Sequence, residues 1–125
     1  RSIAADDFFT GMFETALEED EIIESISFSK PTKANYVKFA NPASRYAMVG
    51  VFVAQFGDEV RVAVTGAGEG GVFRHQEMES VLSSNFSADS LSSVNIDSDG
   101  LISDLHASAE YRANLIKEMT KRAVG

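Results

Sequence analysis

The sequence predicts an α+β domain in which a small, mostly antiparallel sheet of three to four strands carries about three helices packed on one face. Two observations carry this prediction. Several strand-like segments follow one another through connections of a few residues, and parallel strands would need crossovers of a dozen or more. The last twenty or so residues then switch from period-two alternation to apolar residues at three- and four-residue steps. With 125 residues, 44% of them hydrophobic, the chain is one domain, residues 1–125, with enough apolar material for a core.

From the N-terminus, Phe8, Phe9, Met12 and Phe13 lie at helix-like spacing within Ala4 to Thr15, but Gly11 weakens a helix there, so a short helix or an irregular apolar patch is expected. The acidic run from Glu18 to Glu24 reads as a solvated approach to a strand, IIESISF, with Ile22, Glu24, Ile26 and Phe28 on one face. Lys30 to Lys33 is a turn around Pro31. NYVKFA is the next strand, broken by Asn41-Pro42, and YAMVGVFVAQF has the density of a strand buried on both faces. Gly57-Asp58 turns it into EVRVAVT, whose Val60, Val62 and Val64 alternate with Glu59, Arg61 and Ala63 as in a half-buried hairpin partner.

After a glycine-rich turn, Arg74 to Leu82 is expected to be helical with Met78, Val81 and Leu82 inward. The Ser-rich stretch from Ser83 to Ser98 is a loop with one helical turn around Ala88 to Ser92. A long helix follows, capped by Ser103 or Asp104, with Ala109, Leu115, Ile116, Met119 and Ala123 on its apolar stripe.

Composition excludes several functions. A net charge of −8 with no basic stripe argues against nucleic acid. The longest apolar run, Ala47 to Ala54, is far below the roughly 20 residues of a membrane helix. The absence of Cys removes disulfides, thiolate metal sites and a thiol nucleophile, and is compatible with a cytoplasmic location. RSIAADDFF has no signal-peptide pattern, and Arg1 is expected to be a cut point within a longer chain.

Four groupings invite a chemical reading. Gly66 to Gly71 satisfies G-x-G-x-x-G, but no parallel return strand with an acidic tip follows and Glu69 would repel a pyrophosphate, so the plain reading is a strand-to-helix turn. Asn95 to Ile102 imitates the start of a calcium loop, yet His106 stands where the bidentate Glu belongs, so no metal site is expected. Asp104, His106 and Ser108 are neighbours on one helix start rather than a triad converging from separate elements, and no catalytic residue is assigned. Lys38 and Arg45 flank Phe39-Ala-Asn-Pro-Ala-Ser between two strands. On composition this is a surface turn, while its functional reading is a loop whose cations and whose Phe39 and Tyr46 rings lie on an anionic or planar ligand such as a flavin.

The opening RSIAADDFFTGMFETALEEDEIIESISF, the middle NYVKFANPASRYAMVGVFVA, the VAVTGAGEGGVFR turn and the closing SDLHASAEYRANLIKEMTKRAV together resemble the C-terminal domain of the FAD-binding medium subunit of molybdenum hydroxylases, the carbon monoxide dehydrogenase and xanthine dehydrogenase type. The resemblance implies a piece of a flavoprotein oxidoreductase subunit, inactive by itself. In such an enzyme electrons pass from a molybdenum cofactor on a large subunit, through 2Fe-2S clusters on a small subunit, to FAD on the medium subunit. The domains that hold most of the FAD would precede Arg1. By resemblance, Lys38 approaches the flavin ring and the segment through Arg45 and Tyr46 lines its acceptor side, although FANPASRY replaces the charged loop of the xanthine dehydrogenase branch. The implied partners are the chain's own N-terminal FAD-binding domains and the large and small subunits. The alternative is a free-standing α+β interaction module without a cofactor. The two differ at Phe8, Phe9 and Phe13, which a fragment leaves exposed and a self-contained module buries.

Overall fold

The computed structural model describes residues 1–125 and has the expected α+β architecture, with every helix and strand placed between Ala5 and Val124. Its centre is a four-stranded antiparallel sheet in the order β3 (Lys33–Ala40), β4 (Ala47–Phe56), β5 (Glu59–Gly68), β6 (Gly71–Arg74). Each strand pairs with the next in sequence, because each connection is too short to do otherwise. The β4–β5 hairpin turns on Gly57-Asp58, with Gly57 at φ +66°, the sign that a two-residue turn with glycine first demands.

Alternation then sorts the strands into two faces. Val49, Val51 and Val53 of β4 and Val60, Val62 and Val64 of β5 are all at most 2% exposed and form the floor of the core. Burying each of these side chains contributes about 1.5–3 kcal/mol. Onto this floor pack α2 (Gln76–Ser84) through Met78 and Leu82, and α3 (Ala109–Val124) through Leu115, Ile116 and Met119. A 3-10 turn at Ala88–Ser93 adds Leu91, and Val94 follows it into the same cluster. Lys117 holds this segment to α3 by donating to the carbonyls of Ser92 and Val94 at 2.8 and 2.7 Å.

Arg112 joins helix to sheet. It is 3% exposed, and its Nη1 donates to the carbonyls of Met48 (2.6 Å) and Gly66 (3.2 Å) while Nη2 pairs with Asp104 at 2.8 Å. The backbone N–H groups of His106 and Ala107, aided by Arg112, hold the Asp104 carboxyl below its ordinary value.

Three expectations are corrected. First, Ile22 to Phe28 is not a strand of this sheet. It runs as irregular chain with Ile22, Ile26 and Phe28 in solvent, because no strand edge of this chain lies beside it. Second, Gly66 to Gly71 does not lead into a helix: β5 continues through Gly68, Glu69-Gly70 makes a hairpin, and Gly71 begins β6. Gly66 is at φ +78°, and a Cβ there would collide with the Ala47 carbonyl oxygen, so the glycine serves a close backbone approach. Third, Ser108, not Ser103 or Asp104, caps α3, accepting from the Tyr111 N–H. Asp104 spends its carboxylate on a tight turn of its own, accepting from His106 and Ala107.

Residues 1–31 form an arm beside this body. It contains α1 (Ala5–Phe8) and a two-stranded hairpin of β1 (Phe9–Gly11) and β2 (Glu14–Thr15) with Met12-Phe13 at its tip. Arg1 closes the arm on Glu21 and Ala16, which brings the Glu21 carboxyl down to about 2, and Arg74 joins it to the body through Asp6 at 3.1 Å. Phe8 is half-buried against Phe9, whereas Phe9 is 54% and Phe13 101% exposed.

Candidate functional site

The sheet face opposite the core has no helix on it, and the candidate site lies there. Register puts Tyr36 beside Phe52 and Lys38 beside Gly50, which in turn faces Thr65. All four side chains other than glycine's are exposed, with Tyr36 and Phe52 46% and 43% accessible. Gly50 leaves a gap that the Tyr36 side chain occupies: a Cβ there would collide with the Tyr36 hydroxyl oxygen and meet Thr65 Cγ2 at 2.9 Å. A glycine inside a strand commonly marks such a close approach. The face is therefore a flat bench with two half-exposed rings and one cation.

The loop from Asn41 to Tyr46 stands at the end of this bench. Asn41 is buried, and its Oδ1 accepts from the Ala43 and Ser44 N–H groups at 2.9 and 3.1 Å, while its backbone N–H donates to the Tyr46 carbonyl at 2.8 Å. This closure forces Arg45 to φ +65°, an uncommon state for a residue with a Cβ. Lys38 fixes the loop from the strand side, Nζ donating to the Arg45 carbonyl at 3.0 Å. The structure thus brings Lys38 and Arg45 together, and puts Tyr46 next to them with 80% of its surface in solvent.

Neither cation has an acidic partner: the seven ion pairs use Arg1, Arg61, Arg74, Arg112 and Lys121. In a chain of net charge −8 two unpaired cations beside exposed rings are a local reversal of sign. The arrangement can take one side of a planar or anionic ligand, with rings to lie against and a positive charge at the edge. Tyr36, Gly50 and Phe52 were absent from the sequence-level site because cross-strand register places them. The glycine inside the YAMVGVFVAQF pattern was the available signal.

The two rejected motifs meet elsewhere. The Gly68–Gly71 hairpin and the Asp97–Gly100 loop line an open cleft of about 360 Å³ with His75 at its side. The Glu69 N–H donates to the Gly100 carbonyl at 3.0 Å and the Ile102 N–H to that of Ala67 at 2.8 Å, so the hairpin is tied to this loop and one of its N–H groups is already spent. Asp97 Oδ1 accepts from the Asp99 N–H, and no group of three or more His, Asp or Glu side chains is placed to hold a metal ion. His106 and Ser108 likewise make no triad, since Asp104 and Ser108 serve backbone N–H groups.

No protein-family profile matches the chain, and no solved structure matches it. Among curated proteins it is 36% identical over 134 aligned positions to the nicotine 6-hydroxylase medium subunit of Paenarthrobacter nicotinovorans. The match covers 99% of this chain and 47% of that subunit, so the chain spans about half the length of the relative.

Proposed function

We propose that the chain is the C-terminal domain of a molybdenum hydroxylase medium subunit and supplies one wall of its flavin site. The match along the whole chain carries this reading, and the free outer face with its two unpaired cations supports it. Bound FAD would supply the redox chemistry, accepting electrons that originate at a molybdenum cofactor on a large subunit and cross 2Fe-2S clusters on a small one.

This chain's own residues have narrower duties. Tyr36 and Phe52 give a flat apolar surface, and Gly50 keeps that surface low enough for a ring to approach. Lys38 holds a positive charge at the bench edge, where it favours added negative charge on a bound ring. Arg45 and Tyr46 border the same edge from a loop whose shape Asn41 fixes. The glycine-rich segment is a β5–β6 hairpin rather than a strand-to-helix turn, so the reading leaves the pyrophosphate to segments outside this chain. No helix is long and apolar enough to cross a membrane, and assembly with large and small subunits in the cytoplasm is part of the proposal.

Replacing Lys38 by Ala in the full-length medium subunit tests the reading. The expected result is retained folding with a flavin midpoint potential lowered relative to wild type, or a changed rate of reoxidation. Unchanged potential and unchanged reoxidation remove Lys38 from the site, and a full-length subunit that purifies without flavin removes the site altogether.

A further inference from the structure

The arm holds a strand-forming sequence with nothing to pair with. Taken at period two, Ile22 to Phe28 puts Ile22, Glu24, Ile26 and Phe28 on one row and Ile23, Ser25 and Ser27 on the other; the whole segment is exposed, and of its large apolar residues those on the first row are the more so, Ile22 88%, Ile26 76% and Phe28 84% against 51% for Ile23. No backbone hydrogen bond involves residues 22 to 31, whereas the flanking Glu21 and Thr32 N–H groups are both engaged, with Glu18 and Gln55. Bare backbone beside a row of uncovered large apolar side chains is the profile of an edge strand lacking its sheet.

We propose that Ile22–Phe28 adds as a β-strand to the edge of a sheet in the part of the medium subunit that lies outside this chain, burying Ile22, Ile26 and Phe28 against it. The inference rests on the reading of the chain as one domain of that subunit. Two observations choose this occupant. The matched medium subunit has more than half its length outside the region aligned with this chain, which is enough for a further domain. The segment is also continuous with β3, from which only Ser29 to Thr32 separate it, so a strand added there would tie two domains of one chain together. Backbone pairing would supply the affinity and the alternate side chains the register.

The sequence adds a requirement on the receiving sheet. Glu24 lies on the same row as Ile22 and Ile26, and a carboxylate carried into an interface needs an opposite charge. The receiving strand therefore presents a Lys or Arg across from Glu24, flanked by apolar positions that meet Ile22 and Ile26. Glu18, Glu19 and Asp20, all exposed just before the segment, extend the same demand to the rim of the contact.

Amide hydrogen exchange on the full-length medium subunit decides the matter. Alternate amides between Ile22 and Phe28 should exchange roughly a hundredfold or more slower than in an unstructured peptide. In Ile26→Asp that protection should fall to a small remainder, while Ile23→Asp, on the other row, should keep it. Free exchange in a wild-type subunit that carries flavin overturns the proposal while leaving the flavin reading in place. Protection in a subunit without flavin supports the strand and overturns the flavin reading instead. Protection that disappears on dilution points to a second copy, and protection that appears only with the large or small subunit points to those chains; either result overturns the assignment. Should Ile26→Asp fail to fold, the wild-type exchange pattern still decides.

Discussion

The arm and the body are built from the same kind of sequence and come to opposite ends. Ile116 in α3 is fully buried, while Ile22 in the arm is 88% exposed. Val60, Val62 and Val64 share one row and form β5; Ile22, Ile26 and Phe28 share a row that Glu24 interrupts, and form no strand within this chain. The difference lies in available partners. The β4 and β5 patterns are joined by a two-residue turn that delivers each to the other, whereas Pro31 and the Ser29–Thr32 connection carry Phe28 away from β3. A strand pattern specifies a face that must be covered, and the cover need not be in the same fold.

The largest effect expected from this contrast comes from truncating one isoleucine in each region. In this 125-residue chain Ile116→Ala should cost about 2–5 kcal/mol by urea denaturation, because it opens a cavity among β-strand valines and α2. Ile22→Ala should stay within about 0.5 kcal/mol of the parent. A comparable loss at Ile22 would mean that the arm folds onto the body in solution, which would break the comparison.

Backbone strain offers the next test, with opposite signs in the two regions. Gly66 has φ +78° and no room for a Cβ, so Gly66→Ala should destabilise by about 3 kcal/mol through strain and collision with Ala47. Phe13 has φ +60° at the tip of the arm hairpin with its ring fully in solvent. There Phe13→Gly should be neutral or stabilising by up to about 1 kcal/mol, read from the same denaturation curves.

Charge behaves differently in the two regions as well. Glu79 is buried, and burial alone would raise its pKa, but two hydrogen bonds from Arg74 and one from the Val62 N–H prevail and hold it below 4.5. Its folded pKa lies below its unfolded value, so its contribution is complete above about pH 4.5 and is lost as the pH falls through the folded value. Glu79→Gln should therefore lower stability at neutral pH by about 1–3 kcal/mol and flatten the acid limb of the stability profile. Glu21, part-exposed at the surface beside Arg1, is also held below its ordinary value, so its Gln variant should flatten the same limb, but by less than Glu79→Gln does, since solvent screens such a pair.

Most of the body was legible from sequence because its signals are local. The β4–β5 hairpin follows from Gly57-Asp58 between alternating segments, and the stripe of Leu115, Ile116 and Met119 announces α3. What failed needed information from elsewhere in the chain. The role of Gly66 depends on Ala47 across the sheet, and β6 was concealed because a glycine-rich hairpin and a strand-to-helix turn read alike until the pairing of Gly68 with Gly71 is known. At the candidate site, Lys38 and Arg45 were legible as ends of a short loop, but the bench beside them is assembled by register across β3, β4 and β5.

The smallest stability change should come from the residue that sets the height of that bench. In Gly50→Ala the new methyl collides with the far end of the Tyr36 side chain and with Thr65 Cγ2, both on an open face where Tyr36 can rotate away. The body should lose only about 1 kcal/mol or less, since no core contact is broken and the β-strand conformation suits alanine. Flavin behaviour in the full-length subunit should change far more, because the displaced ring would stand where a planar ligand must lie. Weaker flavin retention together with near-native stability would assign the face to the ligand. Unchanged retention and unchanged redox behaviour would instead leave Gly50 as a packing solution for Tyr36 and move the flavin wall to the Lys38–Tyr46 loop alone.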